Sequence, residues 1–212
     1  MKDTIAPVIA VDFDNTVVSY GELLHKVALK RRLIDQEIVK DKSEIRDHVR
    51  RLPNGEILWQ ELQGAVYGPK IKKAKLSEGA QLLFQSCVDH GCKVYIVSHK
   101  TEYAAHDKTR TNLRSAALAW MTGHQFFEPA GFALRPEDVH FESTRQDKLN
   151  RIKSLGCTHV IDDLEETFLE DILPPEMKKI LYSPRGTHSE LPGVKVARTW
   201  QEVTDFVFHA AC

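Results

Sequence analysis

The stretch Val8-Ile9-Ala10-Val11-Asp12-Phe13-Asp14-Asn15-Thr16-Val17-Val18-Ser19-Tyr20 decides how the rest of the chain is read. Its first four residues form an unbroken apolar run rich in β-branched side chains. A run this short and this apolar fits a strand buried on both faces, as in parallel sheets. Asp12 and Asp14 follow at once, and in an extended chain residues two apart point the same way. The strand therefore ends by presenting two carboxylates to one crevice. In open α/β sheets, ligands bind outside the carboxyl ends of the strands. Two like charges held this close cost energy unless a cation or a shared proton offsets them.

Further buried strands are predicted downstream, and their ends carry chemistry as well. Val94 to Val97 runs into Ser98-His99-Lys100. Val139 to Glu142 leads to a helix over 144–155, with Lys148 one turn in and Gly156 as its stop. Thr158 to Ile161 ends in Asp162-Asp163, an acidic pair with no basic neighbour in sequence. A divalent metal is the economical way to offset it. Glu165 and Glu166 read as surface acids at a helix N-terminus.

Asp12, Asp14 and Thr16, placed after an apolar strand, resemble the first motif (Asp-x-Asp-x-Thr) of the haloacid dehalogenase (HAD) superfamily of hydrolases. Asn15 stands where glycine is usual there. Ser98, Lys148 and the Asp162-Asp163 pair match the later motifs in the family's order. The resemblance implies an α/β, HAD-like Rossmannoid fold, with a parallel sheet flanked by helices and a small α-helical cap inserted after the first strand. It implies a catalytic core at 1–16 and 77–212 and a cap at 17–76. In the site so implied, Asp12 is the nucleophile, Asp14 the general acid and base, and Thr16 a brace for the loop that carries Asp14. Ser98 and Lys148 bind the transferring phosphate, helped by the backbone around His99 and Lys100. Arg145 and Lys153 compete with Lys148 for the lysine's place. The implied cofactor is Mg²⁺, held by Asp12, the Asp14 carbonyl and Asp163, with Asp162 sharing the ion or supporting its ligands. Dehalogenases and phosphonate-cleaving relatives lack an acid at the position of Asp14, so its presence favours phosphate monoester hydrolysis or phosphoryl transfer.

The insert has helical rather than strand character. Leu23, Leu24, Val27 and Ala28 recur at helical spacing, as do Ile38, Ile45, Val49 and Leu52. A third helix, around Ile57 to Val66, stops at Gly68-Pro69. Residues 21–75 hold 13 Lys and Arg against 8 Asp and Glu, in a chain whose net charge is −1. The insert is therefore basic and the remainder acidic. Basic groups over the crevice suit a substrate with a second anionic part; ordinary solvated helix surface is the bland alternative. In the core, a helix is predicted from Ser77 to about His90, and another from Thr109 or Thr111 through Met121. Asn112 and Arg114, near the start of the latter, face either the crevice or solvent. Thr199 and Glu202 have capping-box spacing.

The 42% hydrophobic and 28% charged fractions are those of a soluble globular chain. Cys87, Cys92, Cys157 and Cys212 have neither disulfide-framework nor zinc spacing. The sequence Met-Lys-Asp-Thr-Ile-Ala-Pro leaves no room for a signal peptide before the first strand, so a cytoplasmic location is expected. The expected partner is a small phosphorylated molecule, with no nucleic acid and no membrane; sequence does not give the oligomeric state. The function so read is a Mg²⁺-dependent phosphohydrolase of a small phosphomonoester, working through an aspartyl-phosphate. The alternatives are a phosphatase of a nucleic-acid 3′ end or a phosphoprotein, and a catalytically silent binding or regulatory domain.

Overall fold

The computed structural model describes residues 6–106, 109–186 and 188–209; Cys212 lies outside them. Two compact units are formed. The first is drawn from Met1–Val17, Ser77–His99 and Gln125–Cys212, the second from Val18–Leu76 and Lys100–His124. The insert therefore does not stand alone: the stretch after the second core strand belongs with it.

The first unit is built on six strands: β1 (Val8–Val11), β4 (Lys93–His99), β5 (Val139–Glu142), β6 (His159–Asp162), β7 (Lys178–Tyr182) and β8 (Val194–Ala197). Their order is β5-β4-β1-β6-β7-β8, and every pairing is parallel. From β1 the chain steps outward through β4 to β5, then returns to the other side of β1 for β6, β7 and β8. That reversal makes the carboxyl end of β1 the topological switch point, where ligand crevices form.

Among the described residues, three α-helices belong to this unit: α4 (Ala80–Asp89), α6 (Arg145–Ser154) and α7 (Trp200–Phe208). Leu149 and Ile152 of α6 lie in a buried cluster with Ala10, Val97, Val160 and Leu181. The alternate strand residues Ile9, Val11, Ile96, Ile161 and Ile180 are also buried. Residues alternate across a strand, so both faces of the sheet are covered, which explains why β1 reads as continuous apolar sequence. Cys87 and Cys157 are both buried, Cys157 within that cluster.

The second unit holds α1 (Gly21–Lys30), α2 (Lys42–Arg50), α3 (Gly55–Tyr67) and α5 (Leu113–Gly123), plus the two-residue strands β2 (Val18–Ser19) and β3 (Lys75–Leu76). β2 and β3 pair antiparallel where the insert leaves and re-enters. Tyr20 stacks on Tyr67 at 4.2 Å, and the Lys100 ammonium lies 5.2 Å from the Tyr67 ring. Trp120 Nε1 donates to the Ala74 carbonyl at 3.1 Å, tying α5 to the insert.

Several element ends differ from those expected. α4 begins at Ala80, not Ser77, because Gly79 takes a left-handed conformation (φ 81°) that breaks the helix. α5 begins after Asn112, whose side chain accepts from the Ser115 N–H and outcompetes Thr109 and Thr111 as the cap. Ile38 stays outside α2, which starts after Asp41; that carboxylate accepts from the amides of Ser43 and Glu44. Thr199 caps α7, but Glu202 accepts from the Arg198 amide rather than closing the box on Thr199. Among the described residues, no helix is long and apolar enough to cross a membrane.

Candidate active site

The site is assembled from strand ends of the first unit. Asp12 follows β1 directly, and its amide donates to the Ile161 carbonyl of β6 at 2.9 Å. The turn beyond it places Asn15 at φ 65°. That left-handed conformation favours glycine and tolerates asparagine, which accounts for the asparagine at this position. Phe13, between the two acids, is fully buried and lies edge-on to Phe141.

Lys148 is the centre of the charge arrangement. It sits on the first turns of α6, whose N-cap Thr144 accepts from the Asp147 amide at 3.1 Å. Its ammonium donates to Asp12 Oδ1 at 2.5 Å and to Asp162 Oδ2 at 2.6 Å. Lys148 is 2% exposed, so both ion pairs are shielded from water. The two competitors are elsewhere: Arg145 reaches Glu170 at 4.0 Å, and Lys153 is exposed. The acidic pair at the end of β6, which has no basic neighbour in sequence, thus receives one at Asp162 from a helix residue 14 positions earlier.

Ser98, at the end of β4, donates to Asp12 Oδ1 at 3.0 Å. The other Asp162 oxygen, Oδ1, accepts from the Leu164 amide at 3.0 Å, so both of its oxygens are engaged. Thr16 Oγ1 is 3.5 Å from Asp163 Oδ1. Oxygens of Asp12, Asp162 and Asp163 lie within 4.8 Å of one another. The Asp14 carboxylate is not part of that trio. His99 Nε2 is 3.1 Å from the Ser143 carbonyl. Lys100 is buried in the second unit and Arg114 Nε donates to its carbonyl at 2.9 Å, while Asn112 caps α5 and donates to Glu102.

The electrostatics follow from crowding. Burial pushes the Asp12 carboxyl up to about 7; Lys148 opposes the shift, while Asp162, Asp163 and Asp14 reinforce it. Burial works against the Lys148 ammonium, but the charges and hydrogen bonds of Asp12 and Asp162 raise it above the ordinary lysine range. Lys148 is thus paired directly with Asp12 and Asp162. The converging oxygens of Asp12, Asp162 and Asp163 are a donor set that fits a hard divalent cation.

Sequence reading missed one residue here. Ser77 Oγ donates to the Thr16 carbonyl at 2.6 Å, and the Ser77 amide donates to the Val17 carbonyl at 2.8 Å. A serine before a helix reads as a cap, and nothing local shows that its partner lies 61 positions away.

No family model and no curated protein matches the chain. Solved structures do. The chain is similar to a HAD family hydrolase from Deinococcus radiodurans R1 with bound phosphate and sodium, at TM-score 0.57 and 14% identity over 98% of this chain and 97% of that one. It is similar to a HAD hydrolase, family IA, variant 3, from Entamoeba histolytica, at TM-score 0.56 and 14% identity over 95% and 99% of the two chains. It also resembles a dehalogenase, at TM-score 0.53 and 11% identity over 96% and 97%. The structural neighbours are HAD-superfamily hydrolases, and the chain has the HAD-like α/β fold. With a dehalogenase among them, the fold leaves the reaction open, and the side chains must decide it.

Proposed function

We propose that the protein is a divalent-metal-dependent phosphohydrolase that cleaves a small phosphomonoester through an aspartyl-phosphate. The carrying observation is the buried Asp12–Lys148–Asp162 ion-pair bridge beside Asp163, with a further acid, Asp14, two residues along. Asp14 favours phosphate over halide chemistry, because an alkoxide leaving group needs a proton and a halide does not.

In this reading the Asp12 carboxylate attacks phosphorus. A new O–P bond forms, the P–O bond to the leaving group breaks, and Asp14 gives that oxygen its proton. Asp14 then takes a proton from water as the water oxygen attacks phosphorus. The Asp12–phosphate bond breaks, and inorganic phosphate leaves. Asp12, Asp163 and the Asp14 carbonyl would hold Mg²⁺, which supplies charge neutralisation for the phosphate oxygens. Asp162, with both oxygens engaged, serves to hold Lys148. Ser98 and Lys148 bind transferring oxygens, with the His99 and Lys100 amides completing the seat. Thr16, reaching toward Asp163, and Ser77, holding the Thr16 carbonyl, keep the Asp14 turn in place.

The second unit is proposed to act as a cap that admits substrate and excludes water. It carries 17 Lys and Arg against 10 Asp and Glu, a net +7, while the first unit carries 12 against 20, a net −8. A basic cap favours a leaving group with its own anionic part, as in sugar phosphates, nucleotides and phosphorylated acids. The test is a panel of phosphorylated metabolites assayed for phosphate release with Mg²⁺. Release from small phosphomonoesters is expected. No release from any of them, nor from an aryl phosphate, would leave a silent binding domain as the better account.

A further inference from the structure

We propose that the His99 imidazole is a positioning residue, a clamp that sets the distance between the end of β4 and the start of α6. The inference rests on the phosphohydrolase reading for its catalytic consequence, though not for the clamp itself. His99 is the last residue of β4 and pairs across the sheet with Glu142, the last residue of β5. Its side chain reaches one residue further, placing Nε2 3.1 Å from the Ser143 carbonyl. A carbonyl only accepts, so Nε2 carries the proton and donates.

Ser143 precedes Thr144, the N-cap of the helix that carries Lys148. The two sides joined by this bond are the two sides of the proposed phosphate grip. On one side Ser98, adjacent to His99, donates to Asp12. On the other, Lys148 donates to the same Asp12 oxygen. The imidazole is solvent-exposed yet within electrostatic range of this machinery: partial desolvation lowers its basicity, the Lys148 and Arg145 charges act in the same direction, and the Ser143 carbonyl and Asp14 act against them. Without the clamp, α6 keeps its cap and its packing of Leu149 and Ile152 beside Val97, but the hydrogen bond from the end of β4 to the residue before its cap is lost. Small displacements of groups that hold a reacting centre cost about 10- to 100-fold in rate.

The test compares the native chain with His99→Leu and His99→Gln. Glutamine places an amide N–H near the position of Nε2 and restores the donor; leucine does not. Two readouts are taken. The first is hydrogen exchange at the Asp147 and Lys148 amides, which are held by Thr144 Oγ1 and the Thr144 carbonyl. Exchange is expected to quicken about tenfold in His99→Leu and to return to the native rate in His99→Gln. The second is aryl phosphate turnover, where His99→Leu lowers kcat about 10- to 100-fold with KM within about threefold, and His99→Gln recovers most of it. Unchanged exchange in His99→Leu, or a glutamine variant as impaired as the leucine one, overturns the clamp. A native chain without turnover, whose amides still respond to the leucine variant, supports the clamp and overturns the phosphohydrolase reading.

Discussion

The two units differ in how their polar groups are used. In the first, charge is concentrated and buried: Asp12, Lys148 and Asp162 are each at most 5% exposed, and Lys148 is paired directly with both acids. In the second, most charge lies outside on helices, in pairs such as Arg46–Asp47 and Arg50–Glu56 that solvent weakens. Among its charged groups Lys100 is an exception, buried beside Tyr67. A buried pair fixes geometry, and removing one partner leaves an uncompensated charge. An exposed pair does neither. Changes in the first unit should therefore act on the chemical step, and changes in the second on which substrate is taken.

The largest expected effect is at the nucleophile. Asp12→Asn should lower phosphate release by at least about 10³-fold, because an amide cannot form the acyl phosphate. A steady-state assay at saturating aryl phosphate checks this, and near-native turnover would break the assignment. Lys148→Met comes next. It should remove activity and, in metal-free protein, cost about 3 to 5 kcal/mol of stability, since Asp12 and Asp162 lose their buried counter-charge. Urea unfolding in chelator measures the second quantity. Equal midpoints for the two proteins would mean that the bridge does not hold the site together.

A smaller effect should separate the units. Neutralising Lys70 with Lys72, or Arg50 with Arg51, should lower kcat/KM about 3- to 10-fold for a phosphorylated acid and leave an uncharged aryl phosphate unaffected. Equal losses for both substrates, or none for either, would reduce the basic character of this unit to helix solvation, since charges beyond about 8 to 10 Å are screened at physiological salt.

A last effect, on stability rather than activity, concerns the core beneath the site. Burial holds the His159 imidazole down to about 4, with Lys178 adding to the shift. An unfolded histidine titrates near 6.5, so between these values the unfolded chain binds the extra proton and the folded one does not. Stability should be fully present above about pH 6.5 and fall as pH drops toward 4. In His159→Leu the urea midpoint should vary less across that window. An identical pH slope in both proteins would show that His159 is not the group responsible.

The same contrast explains what could be read from sequence. Strand ends are written locally: an apolar run followed by Asp12 and Asp14, by Ser98, or by Asp162 and Asp163 announces both the element and its chemistry. Lys148 was legible from its place one turn into a helix that follows a strand. Ser77 was not, because its partner is the Thr16 carbonyl 61 residues away, and a backbone acceptor leaves no mark in sequence. The tie of His99 to the Ser143 carbonyl was hidden for the same reason. Residues 100–124 gave no sign of belonging with the insert, since α5 reads as an ordinary helix following a strand. The polar turns misled where two caps competed, as Asn112 did with Thr109 and Thr111.

The most direct test of the account is to incubate the Asp14→Asn variant with an aryl phosphate, whose leaving group needs no proton, and locate any bound phosphoryl group by peptide mass spectrometry. With Mg²⁺ present, the phosphoryl group is predicted on Asp12, accumulating because the hydrolytic step lacks its base; in excess chelator it should be absent. A phosphoryl group on any other residue, or none on Asp12 while the variant still releases phosphate at the native rate, would contradict the account.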